Sequence, residues 1–517
     1  MTAPSLEQAV EAHRAGRLAE AEAAYGRLLE TDPNNADASH LLGLVHHQQG
    51  RNDLAVGCIE TAIGLNPDVG NYHNSLGLAL RALRRLEDAE LALRTAVALD
   101  PNDADAHNNL GLLYTDQRRF AQAEDALRRS LELRPDDPGA LSNLGRALVA
   151  LARPLEAIPV LQSACRLDTE HADYVNSLGV ALREIGRYAD AQDAFEQALS
   201  MNPENADAHL SHAQLLLMNG DFQNGWPEHE WRLRRAEHSH RSAVGHWTGV
   251  ESVEGKTVLL WAEQGFGDAI QFVRFAGNIA DLGARVVVEC APQLHRLFSG
   301  VRGVSRVVAP GDDVSFDYHC ALMSLPGILK CVPNGDFPAY VPAPAPMALD
   351  ANSGDADSGA KIGLVWAGNP RHANNLNRSR ALEEFSPLVR PDLSFYGVQK
   401  GPAAHQAPPP DMRFRNLGDD LNDFQDTARA LMALDLLITV DTATAHLAGA
   451  LGRPVWVLLP MVADWRWLRD RDDSPWYPSM RLFRQGAGEK GAGEDWARVI
   501  DRVAATLFEN FNAESLR

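Results

Sequence analysis

Cysteine is scarce in this 517-residue sequence, and its five copies are scattered and odd in number. They stand at positions 58, 165, 290, 320 and 331. No two of them have the CxxC spacing that zinc sites and redox motifs use, so we expect no bound metal. The pattern is typical of a reducing compartment, and it predicts a cytoplasmic protein.

Long apolar runs are missing as well, so we expect no membrane insertion. The opening residues MTAPSLEQAVEAHRAG lack a basic segment followed by an apolar core, which predicts that there is no signal peptide. Positive charge is in deficit, because the formal net charge is −21. Binding to phosphate backbones needs clustered Lys and Arg, so the balance argues against nucleic acid and against anionic membranes as partners.

An internal repeat of 34 residues occupies roughly positions 1–225 of a chain that is long enough for about three domains. Glycine recurs at 43, 77, 111, 145 and 179, within segments such as SLGLALRALRR and NLGLLYTDQRR. Alanine recurs in register at 21, 55, 89, 123, 157 and 191, and proline at 33, 67, 101, 135 and 203. Small residues let two helices approach closely, and proline after Asn or Asp separates the units.

This is the tetratricopeptide pattern, and it predicts six repeats stacked as an α-solenoid. A seventh unit begins at Asn205 but departs from the pattern, since Ala213 stands in the glycine position and Gly225 in the alanine position. We interpret this last unit as a cap that leads into the next domain.

Polar residues recur just before the Leu-Gly pair of several repeats. They are Asn74, Asn108, Asn109, Asn143 and Asn176, with Ser75 and Ser177 in the same positions. One interpretation is that these are solvent-exposed helix positions. The other, slightly favoured because Asn is a mediocre helix former, is a polar ladder that holds the backbone of an extended protein acceptor.

The second half alternates short apolar runs with helical segments, which predicts parallel α/β layers. We predict strands at 257–262, 285–290, 305–308, 317–321, 361–366, 394–399, 412–416, 435–440, 454–459 and 481–484. The predicted order is a solenoid followed by a two-lobed α/β domain. Its parts are a repeat array at 1–225, a linking helical segment at 226–255, a first lobe at 256–345, a Pro-, Gly- and Asp-rich linker at 346–360, a second lobe at 361–500 and a C-terminal helix at 501–517.

The first predicted strand of this half ends in AEQGFGDAIQF. Gly265 and Gly267 allow a tight turn, and Asp268 stands at the start of a helix. One interpretation makes Asp268 an ordinary N-cap. The other makes it a general base that takes a proton from an acceptor hydroxyl. The loop is neither a Walker A nor a Rossmann fingerprint, because no GK[ST] and no GxGxxG is present.

Further strand ends carry polar groups. The segment ITVDTATAHLAGALGRPVWVLLP places Asp441, Thr442 and His446 at the start of a short helix, where free N–H groups can bind an anion. A capped helix with His446 packed beneath it is the alternative. The strand at 361–366 leads into WAGNPRHANNLNRSR, and Lys400 follows the next strand. Ligands bind at the carboxyl ends of parallel strands, so these loops predict an anionic ligand in one cleft.

The motifs GFGDAIQF and VDTATAHLAGALGRPVWVL resemble those of GT-B glycosyltransferases of the heptosyltransferase type, glycosyltransferase family 9, over about residues 256–485. The resemblance implies that Asp268 is the catalytic base and that the reaction needs no metal and no cofactor besides a nucleotide-sugar donor. It implies donor binding by Asp441, Thr442 and His446, with Arg378 as the basic residue that contacts the donor phosphates. The predicted donor-binding residues near the strand ends also include Gly267, Asn369, Lys400 and Ala443.

Two departures from the family redirect the prediction. The first lobe is short, and lipopolysaccharide heptosyltransferases carry no tetratricopeptide array. A repeat array joined to a GT-B unit is more similar to the O-linked N-acetylglucosamine transferases, which use a similar asparagine ladder, and to bacterial flagellin glycosyltransferases. This layout implies transfer of a sugar to Ser or Thr of a protein acceptor, with flagellin as a candidate.

Two alternatives remain open at this point. One is an inactive repeat scaffold, and the other is a transferase that acts on a lipid-linked glycan. Aromatic residues in DWRWLRD (464–470) and SPWYPSMRLF (474–483) could stack on a nucleotide base, but we interpret them mainly as core. The DAD at 355–357 and the DRD at 470–472 are unconvincing as a divalent-metal pair.

Overall fold

The computed structural model describes residues 5–235, 245–349, 359–372, 374–486 and 495–511. The chain divides into two compact units, Met1–Ala181 and Leu182–Arg517. The first contains most of the helical repeats, and the second contains the last repeats together with two β-sheets.

Helices in consecutive pairs fill the repeat region, and each pair spans one 34-residue period. They are α1 (Leu6–Arg14), α2 (Leu18–Thr31), α3 (Ala36–Gln48), α4 (Asn52–Leu65), α5 (Gly70–Ala82), α6 (Leu86–Leu99), α7 (Ala104–Asp116), α8 (Phe120–Leu133), α9 (Pro138–Ala150), α10 (Pro154–Leu167), α11 (Ala172–Glu184), α12 (Tyr188–Met201), α13 (Ala206–Met218) and α14 (Phe222–His229). The predicted tetratricopeptide-like solenoid is confirmed. The last pair ends early, because α14 has eight residues and gives way to a 3-10 turn at Glu230–Arg234.

Close packing explains the recurring glycine. A Cβ built on Gly77 would lie 2.4 Å from Leu93 Cγ, and one on Gly145 would lie 2.4 Å from Leu161 Cγ. The partner stands sixteen residues later on the second helix of the same pair. Any larger residue would have to push that leucine aside, so the glycine sets how closely the two helices approach.

Two wholly parallel sheets form the α/β part. The first has the order β3-β2-β1-β4 and the second has the order β10-β9-β8-β5-β6-β7. Their strands are β1 (Thr257–Trp261), β2 (Arg285–Glu289), β3 (Val304–Val308), β4 (Tyr318–Ala321), β5 (Ala360–Val365), β6 (Leu393–Gly397), β7 (Phe414–Asn416), β8 (Leu436–Val440), β9 (Val455–Leu459) and β10 (Met480–Arg484). All ten predicted strands are present, with ends within two residues of the prediction.

α-Helices follow seven of the ten strands, as is usual for parallel sheets. They are α15 (Phe266–Phe272), α16 (Ala276–Asp281), α17 (His295–Phe298), α18 (Leu325–Ile328), α19 (Asn375–Arg378), α20 (Phe424–Met432), α21 (Ala443–Ala450) and α22 (Trp496–Asn510). The residues of β6, β8 and β9 are buried throughout, which fits sheets that are covered on both faces.

The strand order locates a crevice in the second sheet. From β5 the chain proceeds in one direction through β6 and β7, and then returns to the other side of β5 for β8, β9 and β10. The topological switch point therefore lies between β5 and β8, and ligands of open α/β sheets bind at such points. In the first sheet the corresponding point lies between β1 and β4.

Some predicted segments fall partly outside the described residues. The structure does not describe residues 236–244 of the linking segment or residues 350–358 of the predicted linker, which include the DAD. It also leaves out residues 512–517 of the predicted C-terminal helix. The described part of that helix is α22, which begins at Trp496. The domain bounds themselves stay predictions. In the described part of the chain, no helix has the length and hydropathy that a bilayer crossing requires.

Candidate functional site

The two motifs that follow β1 and β8 meet in the structure. A Cβ built on Gly267 would lie 2.9 Å from His446 Cδ2 and 3.6 Å from the Cα of Ala443. The first turn of α15 therefore packs directly on the first turn of α21. Gly267 is needed for this approach, because any side chain there would overlap the histidine ring.

Asp268 is the third residue of α15, and Gly265 is the N-cap. The interpretation of Asp268 as the N-cap itself is thus corrected, although its carboxylate still serves the helix start. Its Oδ2 accepts a hydrogen bond from Gly265 N at 2.9 Å, and its Oδ1 pairs with the guanidinium of Arg466. The side chain remains 20% exposed, so it borders solvent.

Arg466 connects Asp268 to a second carboxylate. Its Nη1 donates to Asp464 Oδ1 at 2.8 Å, its guanidinium lies 4.3 Å from the ring centroid of Trp465, and only 5% of the residue is exposed. Burial alone lowers the pKa of Arg466, but Asp464 and Asp268 outweigh it and raise that pKa. The Nε of Arg466 is buried and has no hydrogen-bond partner.

The start of α21 follows the end of β8, as the sequence predicts. Thr442 is the N-cap, but its side chain makes no capping hydrogen bond, and its Oγ1 lies 3.1 Å from Thr439 Oγ1. The first N–H groups of α21 are therefore not capped by this side chain. Burial raises the pKa of Asp441, the nearby Asp464 raises it further, and the charge of Arg378 opposes the shift.

His446 is packed beneath the helix, which supports the alternative interpretation of this residue. Its Nδ1 lies 3.0 Å from Tyr477 Oη, and its ring stacks on Trp467 with centroids 5.2 Å apart. Burial, reinforced by the positive charge of Arg466, lowers the pKa of His446 to about 3. The imidazole is therefore neutral at physiological pH, and its ring packs against Gly267.

Arg378 belongs to the same group. It is buried, its Nε has no hydrogen-bond partner, and Gly368 leaves room for it, because a Cβ there would lie 2.7 Å from its Nη2. Burial lowers the pKa of Arg378, while Asp441, Asp464 and Asp268 oppose that shift. We name the six residues the carboxylate–arginine cluster: Asp268, Arg378, Asp441, His446, Asp464 and Arg466.

Two predicted donor-binding residues lie outside this cluster. Lys400 is exposed, and its Nζ donates to the carbonyl oxygen of Gly418 at 2.7 Å. Asn369 is exposed too, and its Oδ1 accepts a hydrogen bond from Arg371 N at 2.9 Å. Neither contact joins these side chains to the start of α21.

The carboxylate–arginine cluster contains more acidic than basic side chains. Three carboxylates face two guanidiniums, and the imidazole is neutral. Burial raises the pKa of Asp268, while Arg466 opposes this shift. One carboxylate is therefore suited to accept a proton, and the two unpartnered Nε–H groups are suited to meet an acceptor atom of a ligand. Among the described residues, no group of His, Cys, Asp and Glu is arranged to hold a metal ion.

The sequence analysis missed Asp464 and Arg466. Both lie in the aromatic segment that was interpreted as core, and Trp465 and Trp467 are indeed buried. The polar residues alternate with the tryptophans, and this alternation was the available signal. The structure shows that Arg466 of this segment contacts Asp268, and that Asp464 contacts Arg466.

A buried ion pair near the cluster was missed as well. Glu263 lies in the loop that leads from β1 to α15, and its Oε1 lies 2.9 Å from Arg232 Nη2. The same oxygen accepts a hydrogen bond from Met323 N at 3.2 Å. Burial raises the pKa of Glu263, while Arg232 opposes the shift. This ion pair connects the 3-10 turn that follows the repeats to the loop after β1 of the first sheet.

The asparagines of the repeats hydrogen-bond to one another. Asn109 Nδ2 donates to Asn74 Oδ1 at 2.9 Å, and Asn143 Nδ2 donates to Asn108 Oδ1 at 3.0 Å. Each bond joins the first helices of successive pairs, between residues 35 positions apart. The interpretation as solvent-exposed positions is corrected, because Asn74 and Asn176 are buried and the other three are half-buried.

Comparisons with known proteins bear on the repeat region. The family model described as the C-terminal domain of cilia and flagella-associated protein 70 matches residues 5–216. This match agrees with the helical pairs of the structure and identifies the region as tetratricopeptide-like.

One curated relative extends over more of the chain. Protein FlbA of Caulobacter vibrioides is 29% identical over 336 residues, which are 57% of this chain and 54% of FlbA. The chain thus matches only about half the length of this relative.

Several solved structures share some likeness with part of this chain. PilF of Pseudomonas aeruginosa is 21% identical, with 38% of this chain and 90% of that chain covered and a TM-score of 0.34. A tetratricopeptide protein of Thermus thermophilus is 21% identical, with 35% and 99% covered and a TM-score of 0.32. MamA is 24% identical, with 33% and 100% covered and a TM-score of 0.30.

Proposed function

We propose that this protein is a glycosyltransferase that moves a sugar from a nucleotide-activated donor to a Ser or Thr hydroxyl of a protein acceptor. The observation that carries the proposal is the carboxylate–arginine cluster. It joins the loop after β1 to the loops after β5 and β8, at the switch point where an open α/β sheet binds its ligand.

The donor phosphates would meet the start of α21 and the guanidinium of Arg378. The uncapped N–H groups and the helix dipole favour an anion at this position. Arg378 is buried with an unpartnered Nε, so a phosphate oxygen would satisfy a donor that now has none. Both features stabilise negative charge as it develops on the leaving group.

Asp268 would act as the general base. Its carboxylate takes the proton of the acceptor hydroxyl, the freed oxygen attacks the anomeric carbon, and the bond from that carbon to the phosphate oxygen breaks. The nucleotide phosphate leaves with the bonding electron pair, and Asp268 later gives its proton to water. Burial raises the pKa of Asp268, while Arg466 opposes the shift, and a carboxylate with a raised pKa is a better proton acceptor.

The repeats would hold the acceptor. Tetratricopeptide arrays generally bind protein partners, and the bonded asparagine pairs keep N–H and carbonyl groups that are not used between them. Such groups recognise an extended backbone without demanding one sequence. Flagellin is a candidate acceptor through the resemblance to flagellin glycosyltransferases, and the site would lie in the cytoplasm of a bacterium.

Intact-mass spectrometry of cell proteins with and without this chain tests the proposal. We expect one or a few proteins to carry an added sugar mass only when the chain is present. Asp268→Asn should abolish this mass shift. The matched control is Asp312→Asn, because Asp312 is exposed and also bonds a backbone N–H, that of Ala309 at 2.8 Å. A mass shift that persists in Asp268→Asn would remove the proposed base.

One observation favours the inactive scaffold as a second candidate. Both carboxylate oxygens of Asp268 already have partners, Gly265 N and the Arg466 guanidinium. If the scaffold is correct, the wild type adds mass to no protein and releases nucleotide from no donor. For the lipid-linked glycan alternative, Asn109→Ala together with Asn143→Ala should leave sugar transfer unchanged, whereas a protein-directed enzyme should lose it.

A further inference from the structure

The strongest unassigned feature of the second unit is the chain of contacts from Asp464 through Arg466 to Asp268. We propose that Arg466, held by Asp464, is a positioning residue that fixes the Asp268 carboxylate for proton transfer from the acceptor. This inference rests on the proposed function, because it assigns a role in that reaction to two residues outside the family motifs.

The first turn of α15 has little to orient the Asp268 side chain. Gly265 and Gly267 precede Asp268 and offer no side-chain contact. Gly265 N fixes one carboxylate oxygen at 2.9 Å, and the other is bonded to Arg466, which is 198 residues away in the sequence. The orientation of Asp268 thus depends on a residue that follows the second sheet's β9.

Arg466 itself is firmly held. Its Nη1 and its backbone N both donate to Asp464 Oδ1, at 2.8 and 3.0 Å. Its guanidinium also lies over the rings of Trp465 and Phe272, 4.3 and 5.6 Å from their centroids. A guanidinium with so little freedom can set the position of the carboxylate that it pairs with.

The charges around Asp268 determine what removal of Arg466 does. The charged groups that act on Asp268 are Arg466, Asp464, Glu263 and Arg378. Arg466 is the nearest cation, so it favours the ionised form of Asp268. Without it, the carboxylates of Asp464 and Glu263 remain near Asp268, and its pKa must rise. A base must be ionised to act, so transfer should begin to fail at a higher pH than in the wild type.

A purely structural ion pair would behave differently. Its loss would lower the free energy of unfolding and the amount of active protein, but the pH at which the surviving enzyme loses activity would stay the same. The pH profile and the separation of kcat from KM therefore discriminate between a positioning role and a structural one.

The experiment measures nucleotide release with UDP-N-acetylglucosamine, UDP-galactose, GDP-mannose and dTDP-rhamnose from pH 5 to 9. The variants are Arg466→Met, Arg466→Lys and Asp464→Asn, with Arg469→Met as the matched control three residues away. For Arg466→Met we expect kcat to fall at least about 10-fold with little change in the donor KM. We expect the acidic limb of the plot of kcat against pH to move to higher pH by about 1–3 units. In Arg466→Lys, the acidic limb of the pH–rate profile should return most of the way to its position in the wild type.

A double-mutant cycle of Asp268→Asn and Arg466→Met, followed by urea unfolding, measures the pair without any reaction. A measurable coupling and a shifted acidic limb together support the proposal. An unshifted limb in an active Arg466→Met, or no coupling, overturns it. If the wild type releases nucleotide from none of the donors while the coupling persists, the proposed function fails, and the positioning role fails with it.

Discussion

Arg232 and Glu263 form an ion pair in which each side chain is only 1% exposed. One further group of Arg232 is satisfied within its own turn, since Nη1 donates to His229 O at 3.0 Å and to Glu230 Oε1 at 2.6 Å. Arg232 Nη2 also donates to Ser324 Oγ at 2.7 Å, in the segment after β4. One guanidinium thus joins the end of the repeats to both loops at the switch point of the first sheet.

Replacement of Arg232 should strongly destabilise the second unit. Arg232→Met leaves Glu263 as a buried carboxylate without its counter-charge, and breaking such a pair costs about 3–5 kcal/mol. Urea unfolding followed by tryptophan fluorescence measures this loss in the second unit alone, because all ten tryptophans lie between positions 226 and 496.

Arg234→Met is the matched control. Arg234 pairs with Glu204, and their side chains are 59% and 78% exposed, so its loss should cost about 1 kcal/mol or less. Adding Glu263→Gln to Arg232→Met should recover part of the stability. Equal effects of the two arginine substitutions would show that burial of the first pair has no energetic consequence.

Two glycines of one repeat should respond to alanine in opposite ways. A Cβ on Gly43 would lie 2.5 Å from Ile59 Cγ1 and 3.2 Å from the carbonyl oxygen of Ala55, so Gly43→Ala should destabilise by about 1–3 kcal/mol. Gly57 lies within α4 and has no atom within 4 Å of such a Cβ, so Gly57→Ala should stabilise by about 1 kcal/mol. Far-UV circular dichroism during urea unfolding measures both. Two changes of the same sign would contradict the packing explanation.

Loss of the hydrogen bond between Asn109 and Asn74 should lower the free energy of unfolding more than loss of the bond between Asn143 and Asn108. Asn109→Ala removes the donor to Asn74, which is 7% exposed, and a buried acceptor left unpaired costs about 1–3 kcal/mol. Asn143→Ala removes the donor to Asn108, which is half-buried, so water can replace part of that bond. The same unfolding measurement compares the two variants. A larger loss for Asn143→Ala would be inconsistent with this ranking.

His446 should make the second unit sensitive to acid. Its pKa is about 3 in the folded protein, below its ordinary value of 6.5, so the unfolded chain binds the proton more readily. The free energy of unfolding therefore has its full value above pH 6.5. It decreases by about 1.4 kcal/mol per pH unit as the pH falls from 6.5 towards 3. His446→Gln should flatten this part of the curve, as measured by urea unfolding with tryptophan fluorescence. An unchanged slope would rule out His446 as the source.

The fold could be predicted well because its signals are local. The 34-residue period depends on glycine and alanine contacts within one helical pair, and the strands are short apolar runs between polar loops. Even the irregular last pair was visible, because Ala213 and Gly225 depart from the pattern. Each of these features can be identified from a few neighbouring residues.

The candidate site could be predicted only in part, because its residues come from loops far apart in the sequence. The strand-end rule and the family motifs identified Asp268, Arg378 and Asp441. They gave no indication that Arg466 bonds Asp268, since nothing near position 268 specifies the partner. Lys400 satisfied the same strand-end rule and yet bonds Gly418, because the rule gives the edge of the sheet but not the direction of a long side chain.

The repeat period has a consequence for how the array can change in length. Excising residues 104–137 would join Asp103 directly to Pro138, and Asp103 caps its helix through the side chain as Asp137 does. Asn143 would then occupy the place of Asn109 opposite Asn74. Deletion of this one period thus keeps the helix cap and the asparagine bond, so the length of the array can change in steps of one repeat.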